Sequence, residues 1–262
     1  MDKLFSIRMD GGIPLLVTAI HDGHFMRENL SRYSALEEAV RLREEDPFTG
    51  IWTRISGNRI VVHRSRFEFD LNRPPEKAVY LVPSDAWGLE LWKSTLPPGL
   101  IEESMALYRK FYVSVAQGIS ELIRKFGRIL VYDLHSYNHR RNGPDGPPED
   151  PVLNPEINLG TGTMDRAYWS PLVDRFLNEL GKAEFQGRPL DIRENVKFKG
   201  GYFPRWIHEN YSRSVCCLSI EVKKIYMDEW TGMPDPAALE AFGDALRRTI
   251  PGVLKVLREI DN

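Results

Sequence analysis

Half of the six histidines in this 262-residue chain stand at the ends of short apolar runs. The run "LLVTAIHDGHFM" delivers His21 and, three residues on, His24. "ILVYDLH" delivers Asp133 and His135, and "CCLSIEV" carries Glu221 within an apolar stretch. Three imidazoles and two carboxylates gathered at one sheet edge would suit zinc, which takes three protein ligands at a catalytic site and leaves one position open. On that reading His21, His24 and His135 are the ligands, and Asp133 orients an imidazole from behind. Glu221 has no reason to lie in an apolar run unless a metal, a cation or catalysis satisfies it. On spacing alone, ordinary hydrogen-bonded histidines at strand ends fit as well as a metal site. His63 reads as structural, whereas His139 and His208 sit in loop-like surroundings from which they could line a pocket.

A second chemistry follows in "RSRFEFDLNRP", residues 64–74. Arginine presents a planar fork that grips a carboxylate through paired hydrogen bonds, and a fixed cation beside a carbonyl oxygen stabilises developing negative charge. The plain alternative is a solvated turn broken by Pro74, and proximity to a metal would favour the carboxylate reader.

These groups need elements to hold them. "IPLLVTAI", "RIVVH", "RILVYDLH" and "VCCLSIEV" are strand-length runs too continuously apolar for a sheet with one wet face, so they read as central strands. Residues 34–46, 101–127, 164–185 and 235–260 repeat apolar side chains at spacings of three and four and read as helices. Strands alternating with helices predict one domain over residues 1–262, a three-layer α/β architecture with a mixed, mostly parallel central sheet and helices on both faces. Ligands in such sheets bind beyond the carboxyl ends of the strands, where the reactive residues cluster. The Pro- and Gly-rich stretch 138–163 reads as a long functional loop or a linker.

Composition narrows the partners. The 35 basic and 37 acidic residues nearly cancel, leaving a net charge of −2. That balance argues against nucleic acid or an anionic membrane and for a small molecule. The adjacent Cys216 and Cys217 cannot readily bridge each other and read as buried strand thiols, which favours a reducing compartment. The apolar run 13–20 is too short for a membrane helix, so the expected location is cytoplasmic. Oligomeric state is not readable.

The motifs "AIHDGH", "SRFEFDLNRP", "YDLHSYN", "INLGTGT", "ENVKFKGGYFPRW" and "LSIEVKKIYMDE" occur in the order that resembles the N-formylglutamate amidohydrolase family, itself similar to zinc carboxypeptidases and aspartoacylase. The resemblance spans about His21 to Glu229 and implies a phosphorylase/hydrolase-like fold with one zinc, hydrolysing the amide of an N-acylated amino acid. It puts metal histidines on His21 and His135. The wider superfamily has a carboxylate three residues after the first histidine. This chain has His24 there, chosen as the second ligand over Asp22 or Glu28. By resemblance Asn72 and Arg73 read the substrate carboxylate, Arg66 rather than Arg64 polarises the scissile carbonyl, and Glu221 is the general base. Lys199, Gly200, Gly201 and Tyr202 read as a pocket-lining turn, with Arg205 and the 158–162 loop as further substrate contacts. The alternatives are a carboxypeptidase-like or other acylamino-acid hydrolase, or a module that binds zinc or a carboxylate without turnover.

Overall fold

The computed structural model describes residues 4–260. Seven strands form one sheet: β1 (Phe5–Met9), β2 (Leu15–Ala19), β3 (Asn58–Val62), β4 (Ile129–Tyr137), β5 (Ile157–Gly160), β8 (Ile192–Glu194) and β9 (Val215–Lys223). Their order across the sheet is β1-β3-β2-β4-β9-β5-β8. The central four, β3, β2, β4 and β9, run parallel, while β1 and β5 pair antiparallel to β3 and β9. A two-stranded ribbon, β6 (Glu184–Phe185) with β7 (Arg188–Pro189), stands apart. The helices are α1 (Glu28–Ser31), α2 (Glu38–Glu44), α3 (Thr49–Trp52), α4 (Pro98–Phe126), α5 (Ser170–Leu180), α6 (Tyr202–Tyr211) and α7 (Pro236–Glu259).

All nine residues of β4 and of β9 are buried, as expected for central parallel strands covered on both faces. Successive side chains point to opposite faces. Leu130, Tyr132, Leu218 and Ile220 therefore join α5 and α7 in one core, and Val131 and Cys217 join α4 and α6 in the other. This is the expected three-layer architecture. Cys216 and Cys217 are buried free thiols, and burial pushes both up from the ordinary thiol range. Among the described residues no helix is long and apolar enough to cross a membrane.

Several expected elements end differently. The helix expected over 164–185 occupies only 170–180, because Pro171 sits in its first turn and the chain turns at Gly181 toward β6. The helix expected over 34–46 stops at Glu44, which leaves Glu45 and Asp46 in a turn. The stretch 138–163 is a loop only in part, since "INLG" forms β5 beside β9. The segment after Gly201 winds into α6, burying Phe203 and Ile207 one turn apart.

The turn after β2 passes so close to the end of β3 that a Cβ on Gly23 would sit 2.1 Å from the carbonyl carbon of His63. Phe25 N–H donates to the His63 carbonyl just beyond. Only glycine permits this approach, which sets how far His21 and His24 stand from the neighbouring strand. Gly23→Ala is expected to cost about 1–3 kcal/mol, the range for forced overpacking, measured as a lower denaturation midpoint at unchanged slope.

Candidate active site

The parallel register places the key residues at one edge. His135 on β4 lies directly opposite Glu221 on β9, and Thr18 on β2 lies opposite Asp133. His21 follows β2 by two residues, so its ring reaches the His135 ring at 5.0 Å between centroids, edge to face. Between them stands Asp46, whose Oδ2 is 3.0 Å from His135 Nδ1 and 3.4 Å from His21 Nδ1. Ligand atoms of His21, Asp46 and His135 all lie within 4.8 Å of one another.

The outer ring nitrogens are engaged elsewhere. His135 Nε2 meets Asp133 Oδ2 at 2.9 Å, and Asp133 Oδ1 accepts from the Thr18 hydroxyl. His21 Nε2 meets Asp70 Oδ1 at 2.8 Å. A carboxylate behind each imidazole fixes ring orientation and leaves both Nδ1 atoms facing Asp46, as carboxylate–histidine pairs do at metal centres. His21 Nδ1 is buried without a hydrogen-bond partner, a position that costs free energy unless something else satisfies it. Asp133 thus lies behind the His135 ring. Asp70, quoted as part of a motif, lies likewise behind His21.

Asp70 also serves the arginine. Its Oδ2 accepts from Arg66 Nη2 at 2.7 Å and from the Tyr80 hydroxyl, while its Oδ1 accepts from the Asn72 N–H at 2.7 Å. Burial alone would raise the Asp70 carboxyl, but Arg66 and then His21 outweigh it and hold it well below the ordinary range. Asp46 is likewise driven down: burial opposes its charge, and the His135 and His21 imidazoles beside it prevail. His135 is raised well above the usual imidazole value, with burial overcome by Asp133 and Asp46. Glu221 goes the other way. Burial pushes its carboxyl up to about 7, with His135 pulling back and Asp46 and Asp133 adding to the rise.

These groups open onto a cavity of about 190 Å³. Arg66, Asn72 and Arg73 line it with Glu221, whereas Arg64 does not. Arg64 is instead paired with Glu68 and lies over the Phe25 ring. Arg73 donates to the Asp85 carbonyl and stacks over Tyr80 at 5.3 Å. Trp87, Phe198, Arg141 and Lys224 also stand in the wall; the Trp87 ring covers the Arg66 guanidinium at 5.0 Å.

Three sequence expectations need correction. His24 does not join His21 and His135. Its Nδ1 meets Glu45 Oε2 at 2.5 Å, and its Nε2 lies 3.3 Å from Arg41 Nη2, so both nitrogens are already engaged. Asp46 takes the third place and makes the group two imidazoles and a carboxylate. Asp22 accepts from the Gly50 N–H, with burial pushing it up to about 6, and Glu28 is exposed beside Arg32. Second, Lys199, Gly201 and Tyr202 are not in the cavity wall, where Phe198 stands instead. Gly201 and Tyr202 act from behind: Tyr202 N–H donates to the Asn72 carbonyl and Phe203 N–H to Asn72 Oδ1. A Cβ on Gly201 would fall 2.1 Å from that oxygen, so the glycine lets the backbone seat Asn72. Third, Arg205 is exposed and Asn158 is spent on backbone, accepting from Lys197 N–H and donating to the Phe198 carbonyl. His139 pairs with Glu229, and His208 bridges Thr163 and the Cys217 N–H, away from the cavity.

Two residues escaped sequence reading. Asp46 sits in "REED", where consecutive acids after a helical pattern look like a solvated face. Lys224, buried, donates to the carbonyls of Arg43 and Glu45 and to Asn138 Oδ1. Burial lowers it to about 8.

Glu221 carries a stability consequence for protein treated with a chelator. Its folded carboxyl, near 7, lies above the ordinary value of about 4.3. The stability it contributes is therefore full below about pH 4.3 and lost as pH rises through 7. Glu221→Gln should accordingly match wild type in thermal midpoint near pH 4.5 and exceed it by pH 8, by on the order of 3 kcal/mol.

The N-formylglutamate amidohydrolase family profile matches residues 13–227. No curated protein matches the chain. The crystal structure of N-formylglutamate amidohydrolase from Ralstonia eutropha JMP134 superposes with a TM-score of 0.72 at 17% identity, covering 98% of this chain and 97% of that one. A gene product of Agrobacterium tumefaciens superposes at 0.71 and 16% identity, over 98% and 97% of the two chains. With the profile spanning most of its length and the fold shared throughout, the chain belongs to the N-formylglutamate amidohydrolase family.

Proposed function

We propose that the chain hydrolyses the amide bond of an N-acylated amino acid, such as N-formylglutamate, with a zinc ion held by His21, Asp46 and His135. The observation that carries this reading is the buried, unpartnered His21 Nδ1 facing Asp46 and His135, with both outer nitrogens already tied to carboxylates. Two imidazole nitrogens and a carboxylate oxygen are a donor set suited to a catalytic zinc. Bound there, zinc would supply Lewis acidity at the acyl carbonyl and acidify a water.

The chain's own groups do the rest. Glu221, across the strand pair from His135, takes a proton from the attacking water and passes it to the amine nitrogen as the carbon–nitrogen bond breaks. Water thus adds across the amide with no net change in protons. A carboxylate at this place, directly opposite His135, can accept that proton and return it. Arg66, its fork fixed by Asp70, stabilises the charge that develops on the acyl oxygen. Asn72 and Arg73 bind the free carboxylate of the substrate. A module that only bound its ligand would need the arginines but not a buried carboxylate opposite His135, so the position of Glu221 favours catalysis.

Release of free amine from a panel of N-formyl and N-acetyl amino acids tests the reading. Glu221→Gln should keep its zinc, yet turnover should fall by about 10²–10⁴-fold; undiminished turnover would assign the base elsewhere. Arg73→Ala should lose the preference for free acids over their amides, a loss of roughly 2–5 kcal/mol. His135 is raised well above the usual imidazole range, so zinc must displace its proton. Affinity for zinc should therefore rise with pH, by about tenfold per unit while that proton remains bound, as read by competition with a chromophoric chelator.

A further inference from the structure

His21 and His135 are held by the sheet, whereas Asp46 lies in a turn beyond the end of α2. What holds that turn is unusually specific. The residue beside it, Glu45, is fully buried, and its two carboxylate oxygens go to His24 Nδ1 at 2.5 Å and to the Ser65 hydroxyl. Arg41, also buried, donates to the His24 carbonyl at 3.1 Å and lies 3.3 Å from His24 Nε2. Because a guanidinium can only donate, His24 Nε2 accepts, and the ring proton sits on Nδ1 and is donated to Glu45. The Glu45 carbonyl is in turn held by Lys224, and Asp46 N–H donates to the His21 carbonyl. Two residues on, Phe48 adopts φ 71°, a left-handed conformation that a bulky side chain takes only when its surroundings enforce it.

We infer that His24 is a positioning residue for the metal site: by gripping Glu45 it presets the backbone that carries Asp46, so that the third ligand waits in place for the ion. This rests on the metal reading above. The arrangement also explains the H-x-x-H spacing. The turn held close to β3 by Gly23 brings its first histidine to the ion and its second to the neighbour of the other ligand. Preorganisation lowers the cost of ordering a ligand when the ion arrives.

Zinc affinity and dissociation rate, measured with a competing chelator, test the inference alongside the thermal midpoint of chelator-treated protein. His24→Ala should weaken zinc binding by about 10–100-fold, the usual loss when a group behind a ligand is removed. His24→Asn, which keeps a short N–H donor for Glu45, should recover most of it. In an Asp46→Ala background, adding His24→Ala should cost less than about threefold, because its effect runs through Asp46. Full loss in that background would make His24 act on the ion directly and overturn the proposal. So would an unrescued His24→Asn, or an unchanged zinc affinity with only a lowered thermal midpoint. Wild-type protein that takes up no zinc would overturn the metal reading itself, whereas zinc-binding wild type with an equally tight His24→Ala variant would overturn this proposal alone.

Discussion

Desolvated charge is the constraint around which this molecule is arranged. Asp46, Asp70, Asp133 and Glu221 are buried together with two imidazoles at the carboxyl end of the sheet, beside the largely covered Arg66 guanidinium. Isolated charges there would be prohibitively costly, so the three aspartates are paired and hydrogen-bonded, while burial drives the Glu221 carboxyl toward its neutral form. Asp70 shows how tightly this is done. Its two oxygens serve a histidine, an arginine, a tyrosine and a backbone N–H. One carboxylate thereby couples His21 to the arginine and to the Asn72–Arg73 turn, so no one of these can shift without disturbing the others. Removing it would strand several buried partners at once.

The remaining fold supplies rigid mounts for this network. Parallel pairing of β4 and β9 sets His135 beside Glu221 with no loop between them and the core. Side chains mounted on strands are held more closely than those on loops. Where a group does come from a loop, its backbone is buttressed: α6 and Gly201 seat Asn72 from behind the wall, and Lys224 grips the turn carrying Asp46.

What could be read in the sequence follows from this division. His21, Asp133, His135 and Glu221 were legible because an apolar strand that ends in, or contains, an ionisable group is locally inconsistent, and such inconsistencies mark sites. The central strands and the long helices were legible from periodicity. Asp46 was not, since its burial depends on Glu45, His24 and Lys224 packing around it, and "REED" by itself resembles a wet helix end. His24 misled for the converse reason: its spacing suits a metal, but its two nitrogens are claimed by partners distant in sequence. β5 was hidden within a Pro- and Gly-rich stretch, because four residues paired to a central strand carry too little pattern to announce themselves.

The position of β9 has a consequence for how the chain is made. β9 is central in space but spans residues 215–223, late in the sequence. Until it is synthesised, one long edge of β4 has no partner on that side, and unpaired apolar edges invite association with other chains. The site itself draws on residues 21, 46, 70, 135 and 221, so closing it requires many distant loops to form first. Contacts so far apart in sequence slow the search for the native state. Binding chemistry and folding are therefore completed by the same late strand, and a chain interrupted before it has neither.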